Sequence, residues 1–152
     1  MKILVLSDTH GDTRRLREIF TRERGLSLCI FLGDGERDLE PFFPQPAIPL
    51  LAVRGNCDFC SQLPAKLVTD EGGKTILITH GHELHVKYGL SLLREAARDA
   101  KADIALYGHT HVPVQEYDDG LYLCNPGSVR SGDYAVLEIV PQGVMWLPKR
   151  ID

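Results

Sequence analysis

The feature that most constrains this chain is a repeated ending. Five short apolar runs each stop at a side chain able to bind a metal: residues 3–6 before Asp8, 28–32 before Asp34, 50–53 before Asn56, 75–79 before His80, and 104–107 before His109. Short apolar, partly β-branched runs bounded by turn residues read as buried strands. Between the first two, TRRLREIFTRER places Leu16, Ile19 and Phe20 at helical spacing, with Thr13 as the expected cap and Gly25 as the expected stop. The opening therefore reads strand, loop, helix, strand, the start of a parallel sheet with crossover helices.

The remainder follows the same logic. A second helix is expected in YGLSLLREAARDA, where Leu90, Leu93 and Ala97 share a side, and a weak strand over 66–69. From residue 112 onward the chain becomes a succession of short strands, over 112–117, 121–124, 134–140 and 144–147. Turn signals at Asp119-Gly120, Asn125-Pro126-Gly127 and Pro141-Gln142-Gly143 separate them. The segment EPFFPQPAIP is too rich in proline for a long regular element. It reads as a surface connection, with Phe42 and Phe43 tucked against the body or exposed at a contact such as a homodimer.

Length and composition bound the classes of function. At 152 residues the chain is expected to form one domain spanning 1–152. A net charge of −4 disfavours a protein that coats nucleic acid, which usually needs a basic face. The N-terminal apolar run is too short for a signal peptide or a membrane span, so no membrane association is expected. Cys29, Cys57, Cys60 and Cys124 do not make a disulfide framework and are expected to be reduced, which points to the cytoplasm.

Two of the five endings carry a second donor two positions on, giving Asp8-Thr-His10 and His109-Thr-His111. In an extended segment such residues point to one side, so each pair is expected to address one ion. In open αβ sheets ligands gather outside the carboxyl ends of the strands, where all these donors fall. Four imidazoles, two carboxylates and one amide, without thiolate, suit a transition metal better than Mg or Ca. Mn²⁺ is the first choice, with Ni²⁺, Fe²⁺, Co²⁺ and Zn²⁺ also admitted. Seven donors are too many for one ion and about right for two sharing a bridging carboxylate. Two divalent ions against two carboxylates leave a positive centre, suited to holding and attacking a phosphoryl group.

The ordered set D8-T-H10, G33-D34, G55-N56-C57-D58, H80-G-H82 and G108-H109-T-H111 resembles the calcineurin-like metallophosphoesterase family, and within it the small single-domain prokaryotic phosphodiesterases. The resemblance spans essentially the whole chain and implies an α/β fold, a four-layer αββα sandwich. It implies one metal on Asp8, His10, Asp34 and His111, and a second on Asp34, Asn56, His80 and His109, with Asp34 bridging. The activity it implies is hydrolysis of a small phosphodiester by in-line attack of a metal-bridging hydroxide. Phosphomonoesterases of the family usually carry His after the motif asparagine, where it is thought to protonate the leaving group. Here that residue is Cys57, as in the small phosphodiesterases, which disfavours strong monoesterase activity.

Other residues carry weaker expectations. Cys57 and Cys60 form a CxxC, but no second CxxC accompanies it and the metal motif already accounts for Cys57. Cys29 and Cys124 read as core. His82 is a candidate for substrate contact or for supporting the ligands, His85 reads as exposed, and Arg54 and Arg130 are candidate phosphate contacts. Asn125-Pro-Gly-Ser128 reads as a turn, and it resembles a recurrent segment of the family close to the site, which implies that it steadies the His109 loop. Two rival functions remain: a non-catalytic scaffold on the same fold, as in the retromer complex, and a nuclease. The complete donor set weighs against the first. The acidic balance weighs against the second.

Overall fold

The computed structural model describes residues 1–43 and 48–152; the middle of the proline-rich connection, residues 44–47, lies outside the described residues. Among the described residues ten strands form two five-stranded sheets. They are β1 (Lys2–Leu6), β2 (Leu28–Phe31), β3 (Leu50–Ala52), β4 (Lys66–Glu71), β5 (Lys74–Thr79), β6 (Ile104–Leu106), β7 (Val114–Asp118), β8 (Leu121–Asn125), β9 (Asp133–Val140) and β10 (Gly143–Arg150). One sheet runs β10-β9-β1-β2-β3, the other β4-β5-β6-β8-β7. Helix α1 (Thr13–Arg22) covers the outer face of the first sheet and α2 (Ser91–Asp99) that of the second.

The apolar runs are unbroken because both faces of each central strand are buried. Ile3 and Val5 of β1, Ile30 of β2, Ile76 and Ile78 of β5, Ile104 and Leu106 of β6 meet between the two sheets. The alternate residues Leu4, Leu6, Cys29 and Phe31 pack under Leu16 and Ile19 of α1. Leu77 and Ala105 pack under Leu93 and Ala97 of α2. The result is helix, sheet, sheet, helix, the expected four layers. Cys29 and Cys124 are both buried, as read from their runs.

Strand direction positions the site. Strands β1, β2 and β3 are mutually parallel, with antiparallel β9 beside β1; β5, β6 and β8 are also mutually parallel, with antiparallel β4 and β7 on their two sides. Parallel neighbours deliver their carboxyl ends to one edge. Asp8, Asp34 and Asn56 therefore leave one sheet together, and His80 and His109 leave the other beside Asn125. The weak strand at 66–69 is real and longer, an antiparallel partner of β5.

Two local readings differ. The cap of α1 is Asp12, whose side chain accepts the Arg15 backbone N–H at 3.0 Å, and not Thr13, which is the first helical residue. A carboxylate at this position also meets the Arg15 guanidinium, at 2.6 Å, so it serves the helix end twice. The proline-rich connection begins as a 3-10 helix, Glu36–Phe42, containing Pro41. Phe42 and Phe43 are half-buried. Their rings lie 5.0 and 5.6 Å from that of Phe20, and they pack against the α1 face of the first sheet. Among the described residues no helix is long and apolar enough to cross a membrane.

Candidate metal centre

Each strand-end loop turns through an unusual backbone. Among the described residues nine non-glycine residues have positive φ, and five of them are candidate ligands: Asp8, His10, Asp34, His109 and His111. Non-glycine residues enter this region at a cost and cluster there at functional sites. The glycines of the motifs answer a different need, close approach. A Cβ on Gly33 would meet the Gly55 backbone nitrogen at 2.6 Å and His80 Nδ1 at 2.9 Å, while one on Gly108 would strike the Ser7 hydroxyl. Only hydrogen fits where the two sheets' loops interlock.

The two carboxylates share one design. Asp8 Oδ2 accepts the Ser7 hydroxyl and, at 3.1 Å, the His109 N–H. Asp8 Oδ1 faces His111 Nε2 at 3.1 Å, His10 Nε2 at 3.5 Å and His80 Nε2 at 3.9 Å. Asp34 Oδ1 accepts the Cys57 N–H at 2.7 Å, and its Oδ2 faces His80 Nε2 at 3.2 Å and His10 Nε2 at 3.9 Å. In each, one oxygen is held by backbone and the other is turned toward imidazole nitrogens. Both residues are buried.

The donors fall into groups: Asp8, His10 and His111; Asp34, His80 and His109; and His10, Asp34 and Cys57. The pairing by sequence separation holds for Asp8 and His10 but not for His109 and His111, which belong to different groups. All four of these residues are left-handed rather than extended, so the alternation of an extended strand does not govern which donors share a group. Asp34 reaches histidines of both sets. Asn56 Oδ1 lies 3.1 Å from His80 Nε2, so the amide joins the second group. The third group brings a thiol where the donor inventory had none. Burial and the Asp34 and Asp58 carboxylates push the Cys57 thiol up, which keeps it protonated at neutral pH.

Do these residues suit metal ions? His80 is decisive. Its Nδ1 lies 2.7 Å from the Leu32 carbonyl, so Nδ1 carries a proton and, in the neutral ring, Nε2 presents a lone pair. That lone pair faces Asp34 Oδ2 and Asn56 Oδ1, both acceptors. His10 Nε2 and His111 Nε2 also lie 3.3 Å apart, near Asp8 Oδ1. A cation at the His80 lone pair would satisfy all three groups there, and the nitrogen and oxygen set suits a divalent transition metal. A proton is the alternative cation. Burial disfavours charge on His80, yet the Asp34 bond and the fields of Asp8 and Asp34 outweigh that and raise its pKa. His80 in turn helps hold Asp34 well below the usual carboxylate range against its own burial. His109, desolvated and beside His80, is pushed down to about 4 and is neutral at physiological pH.

The remaining candidates differ. His82 lies beside the ligands, its ring 5.3 Å from His80 and 6.0 Å from His109. Its Nδ1 is buried with no hydrogen-bond partner among the described residues, and burial with His80 lowers its pKa. Arg54 Nη1 donates to the Leu63 carbonyl at 2.8 Å, and its field reaches His82. Arg130 is exposed, and its backbone N–H donates to the Asp8 carbonyl at 3.3 Å. His85 is exposed, as expected.

Two supports of the site, Asp58 and Ser128, were not read from the sequence as such, while a third, Asn125, was expected to steady the His109 loop. The Asp58 carboxylate accepts four backbone N–H groups: Asp34 and Gly55 at 2.8 Å on Oδ2, Gly35 at 2.8 Å and Glu36 at 3.0 Å on Oδ1. It ties the Asp34 loop to the Asn56 loop. Ser128 donates its hydroxyl to the Asp8 carbonyl at 2.7 Å. Asn125 Nδ2 bonds the Gly108 carbonyl at 3.1 Å and Thr110 Oγ1 at 3.0 Å, so the expected turn also braces the loop on both sides of His109. Their signal was the short spacing from a ligand motif, which names a neighbour without naming its bond.

Histidine and carboxylate donors gathered at the strand ends of a two-sheet sandwich define a metallophosphoesterase. Residues 1–140 match the calcineurin-like phosphoesterase superfamily domain, and the chain belongs to that superfamily. It is similar to the probable metallophosphoesterase YsnB of Bacillus subtilis, at 34% identity over 91% of this chain and 85% of that protein. It is also similar to the phosphodiesterase YfcE of Escherichia coli K12, at 33% identity over 85% of this chain and 79% of that protein. Among solved structures, a conserved protein from Streptococcus pneumoniae described as a predicted phosphoesterase superposes with a TM-score of 0.74 at 28% identity, over 97% of each chain. The zinc complex of Vps29 from Entamoeba histolytica superposes with a TM-score of 0.74 over all of both chains; at 20% identity it shares the fold.

Proposed function

We propose that this protein is a phosphodiesterase that uses two divalent transition metals, Mn²⁺ by preference, to hydrolyse small phosphodiesters. The observation that carries the reading is the pair of buried carboxylates, each with one oxygen locked by backbone or hydroxyl donors and one facing three or two imidazole nitrogens. Asp8, His10, Asp34 and His111 would hold one ion, and Asp34, Asn56, His80 and His109 the other. When bound, the ions supply an activated water as nucleophile and neutralise charge on the phosphoryl oxygens.

The protein's own groups do the rest. The Leu32 carbonyl fixes the His80 tautomer, Asp58 and Asn125 fix the loops, and the His109 N–H fixes Asp8. These contacts set the geometry before substrate arrives, so little reorganisation remains for the displacement. As the phosphorus–oxygen ester bond breaks, the leaving oxygen takes the electron pair. Cys57 stands where a stronger acid would protonate it, and its raised pKa makes it a poor donor. That restricts efficient turnover to esters whose leaving group needs little help. His82 and Arg54, adjacent to the ligands and to each other, would contact substrate. Free cysteines, two of them exposed, suit a reducing cytoplasm.

The scaffold reading draws on the Vps29 likeness in fold, but a scaffold has no need of strained, interlocked loops or of lone pairs turned on one another. The test is a panel of phosphodiesters and monoesters offered to protein stripped with chelator and reloaded. Turnover of diesters restored by Mn²⁺ and not by Ca²⁺ is expected. Undiminished turnover in the stripped protein would refute the metal account, and two bound ions with no turnover of any ester would favour the scaffold.

A further inference from the structure

A cavity of about 270 Å³ opens beside the centre, with His10 and Asp34 on its inner side and Arg37, Cys57 and Phe59 on its outer side. We infer that this cavity seats one ester arm of the substrate and selects an aromatic arm, aryl or nucleoside, through the ring of Phe59. The inference rests on the phosphodiesterase reading above and names its substrate class.

Phe59 is 80% exposed and belongs to no apolar cluster or ring pair among the described residues. A single exposed aromatic is ordinary. This one lines the same cavity as two candidate ligands, and its backbone is anchored on both sides. Asp58 before it is tied to four backbone N–H groups of two loops, and Cys60 after it is left-handed, at φ 59°, turning the chain away. The backbone at Phe59 is therefore anchored beside the candidate centre, and the ring has no partner of its own among the described residues. A cavity of about 150 Å³ takes benzene, so this one has room for a ring and its ester linkage.

Arg37 supplies the complementary element. It is exposed, lines the cavity, and makes no ion pair or hydrogen bond among the described residues. Asp38 and Asp58, which share the lining, are engaged: Asp38 accepts from Thr9 Oγ1 and the Gly11 N–H, and Asp58 from the loops. Arg37 recognises the negative charge of any phosphoryl compound and Phe59 the ring, so the two side chains separate affinity from selectivity.

The test uses Mn-loaded protein and two non-hydrolysable probes, phenylphosphonate and methylphosphonate, titrated by calorimetry, with turnover of bis-para-nitrophenyl phosphate measured in parallel. One added aromatic pair corresponds to roughly three- to tenfold in affinity. The wild type should prefer phenylphosphonate by that factor, Phe59→Ala should erase the preference, and Phe59→Trp should keep it. Arg37→Ala should weaken both probes alike and leave their ratio unchanged. Equal affinities in the wild type, or a preference that survives Phe59→Ala, would overturn the assignment even if the diester is turned over. A Phe59-dependent preference without diester turnover would instead remove the phosphodiesterase reading and leave the ring-binding cavity standing.

Discussion

Asp58 is the residue whose loss should be felt most widely for its size. Its two oxygens accept four backbone N–H groups, two each, from the loops that carry Asp34 and Asn56. Replacing it with Asn keeps one oxygen and turns an NH₂ toward two N–H donors, so two bonds are lost whichever way the amide points. A hydrogen bond to a charged group contributes about 1.5–3 kcal/mol, and water can reach the half-exposed Gly35 and Glu36. The expected cost is about 2–4 kcal/mol for Asp58→Asn, and about 3–5 kcal/mol for Asp58→Ala, which abandons all four donors. For a chain of this size each kcal/mol lowers Tm by about 2–4 °C. Urea and thermal unfolding should be followed on chelator-stripped protein, so that metal binding does not feed back on stability. Metal titration of the same variants supplies a second readout. The Asp34 backbone N–H is one of the four, so its carboxylate should lose its aim, and metal affinity should fall about 10–100-fold, as for other groups that orient ligands. Asp58→Asn within about 0.5 kcal/mol of wild type would show that the carboxylate is not the clasp between these loops.

Further outcomes follow from the same geometry. Asp34→Asn should reduce occupancy at both metal sites whereas His10→Ala chiefly affects one; two ions retained at normal affinity in the Asp34 variant, by metal analysis, would refute the bridge. Cys57→His should raise monoesterase relative to diesterase kcat/KM, while Cys57→Ser should change aryl diester hydrolysis little, and its abolition with both metals retained would expose a direct role for the thiol. Away from the site, buried Glu23 receives Lys149 Nζ at 2.7 Å, the Tyr134 hydroxyl at 2.9 Å and Lys2 Nζ at 3.2 Å. Burial would raise its pKa, but these partners outweigh burial and hold it below 4.5. The stabilisation is therefore present above the ordinary glutamate value and is lost as pH falls through the depressed one. Glu23→Gln should cost about 1–3 kcal/mol at pH 7 by urea unfolding, and the gap to wild type should shrink on acidification; a gap constant down to pH 3 would contradict the assignment.

The strands and the donors were legible in the chain because both are local. Unbroken apolar runs such as residues 3–6 and 104–107 are dictated by burial on two faces, and the donors fall where those runs stop. The family motifs, read in order, fixed the fold and the list of candidate ligands. Legibility ended wherever a partner lay far along the chain or the backbone left the regular regions. Asp12 was passed over for Thr13 because both are capping types, and only the placement of the Arg15 N–H and guanidinium favours the carboxylate. Phe42 and Phe43 offered no clue to whether they faced inward, since that depends on Phe20, more than 20 residues earlier.

The same divide runs through the centre itself. That Asp8, His10, Asp34, Asn56, His80, His109 and His111 would meet followed from strand ends alone, since parallel strands deliver their carboxyl termini to one edge. How they meet did not. The spacing of His109 and His111 suggested a shared ion, yet the two fall in different donor groups. Asp58 stood beside a motif as one more acid until the packing of two loops made it an acceptor for four amides. Strand formation is decided by each segment's own burial pattern. The partner of a polar group is decided by which chain ends the two sheets bring within 3 Å, and that is set only when the whole sandwich has closed.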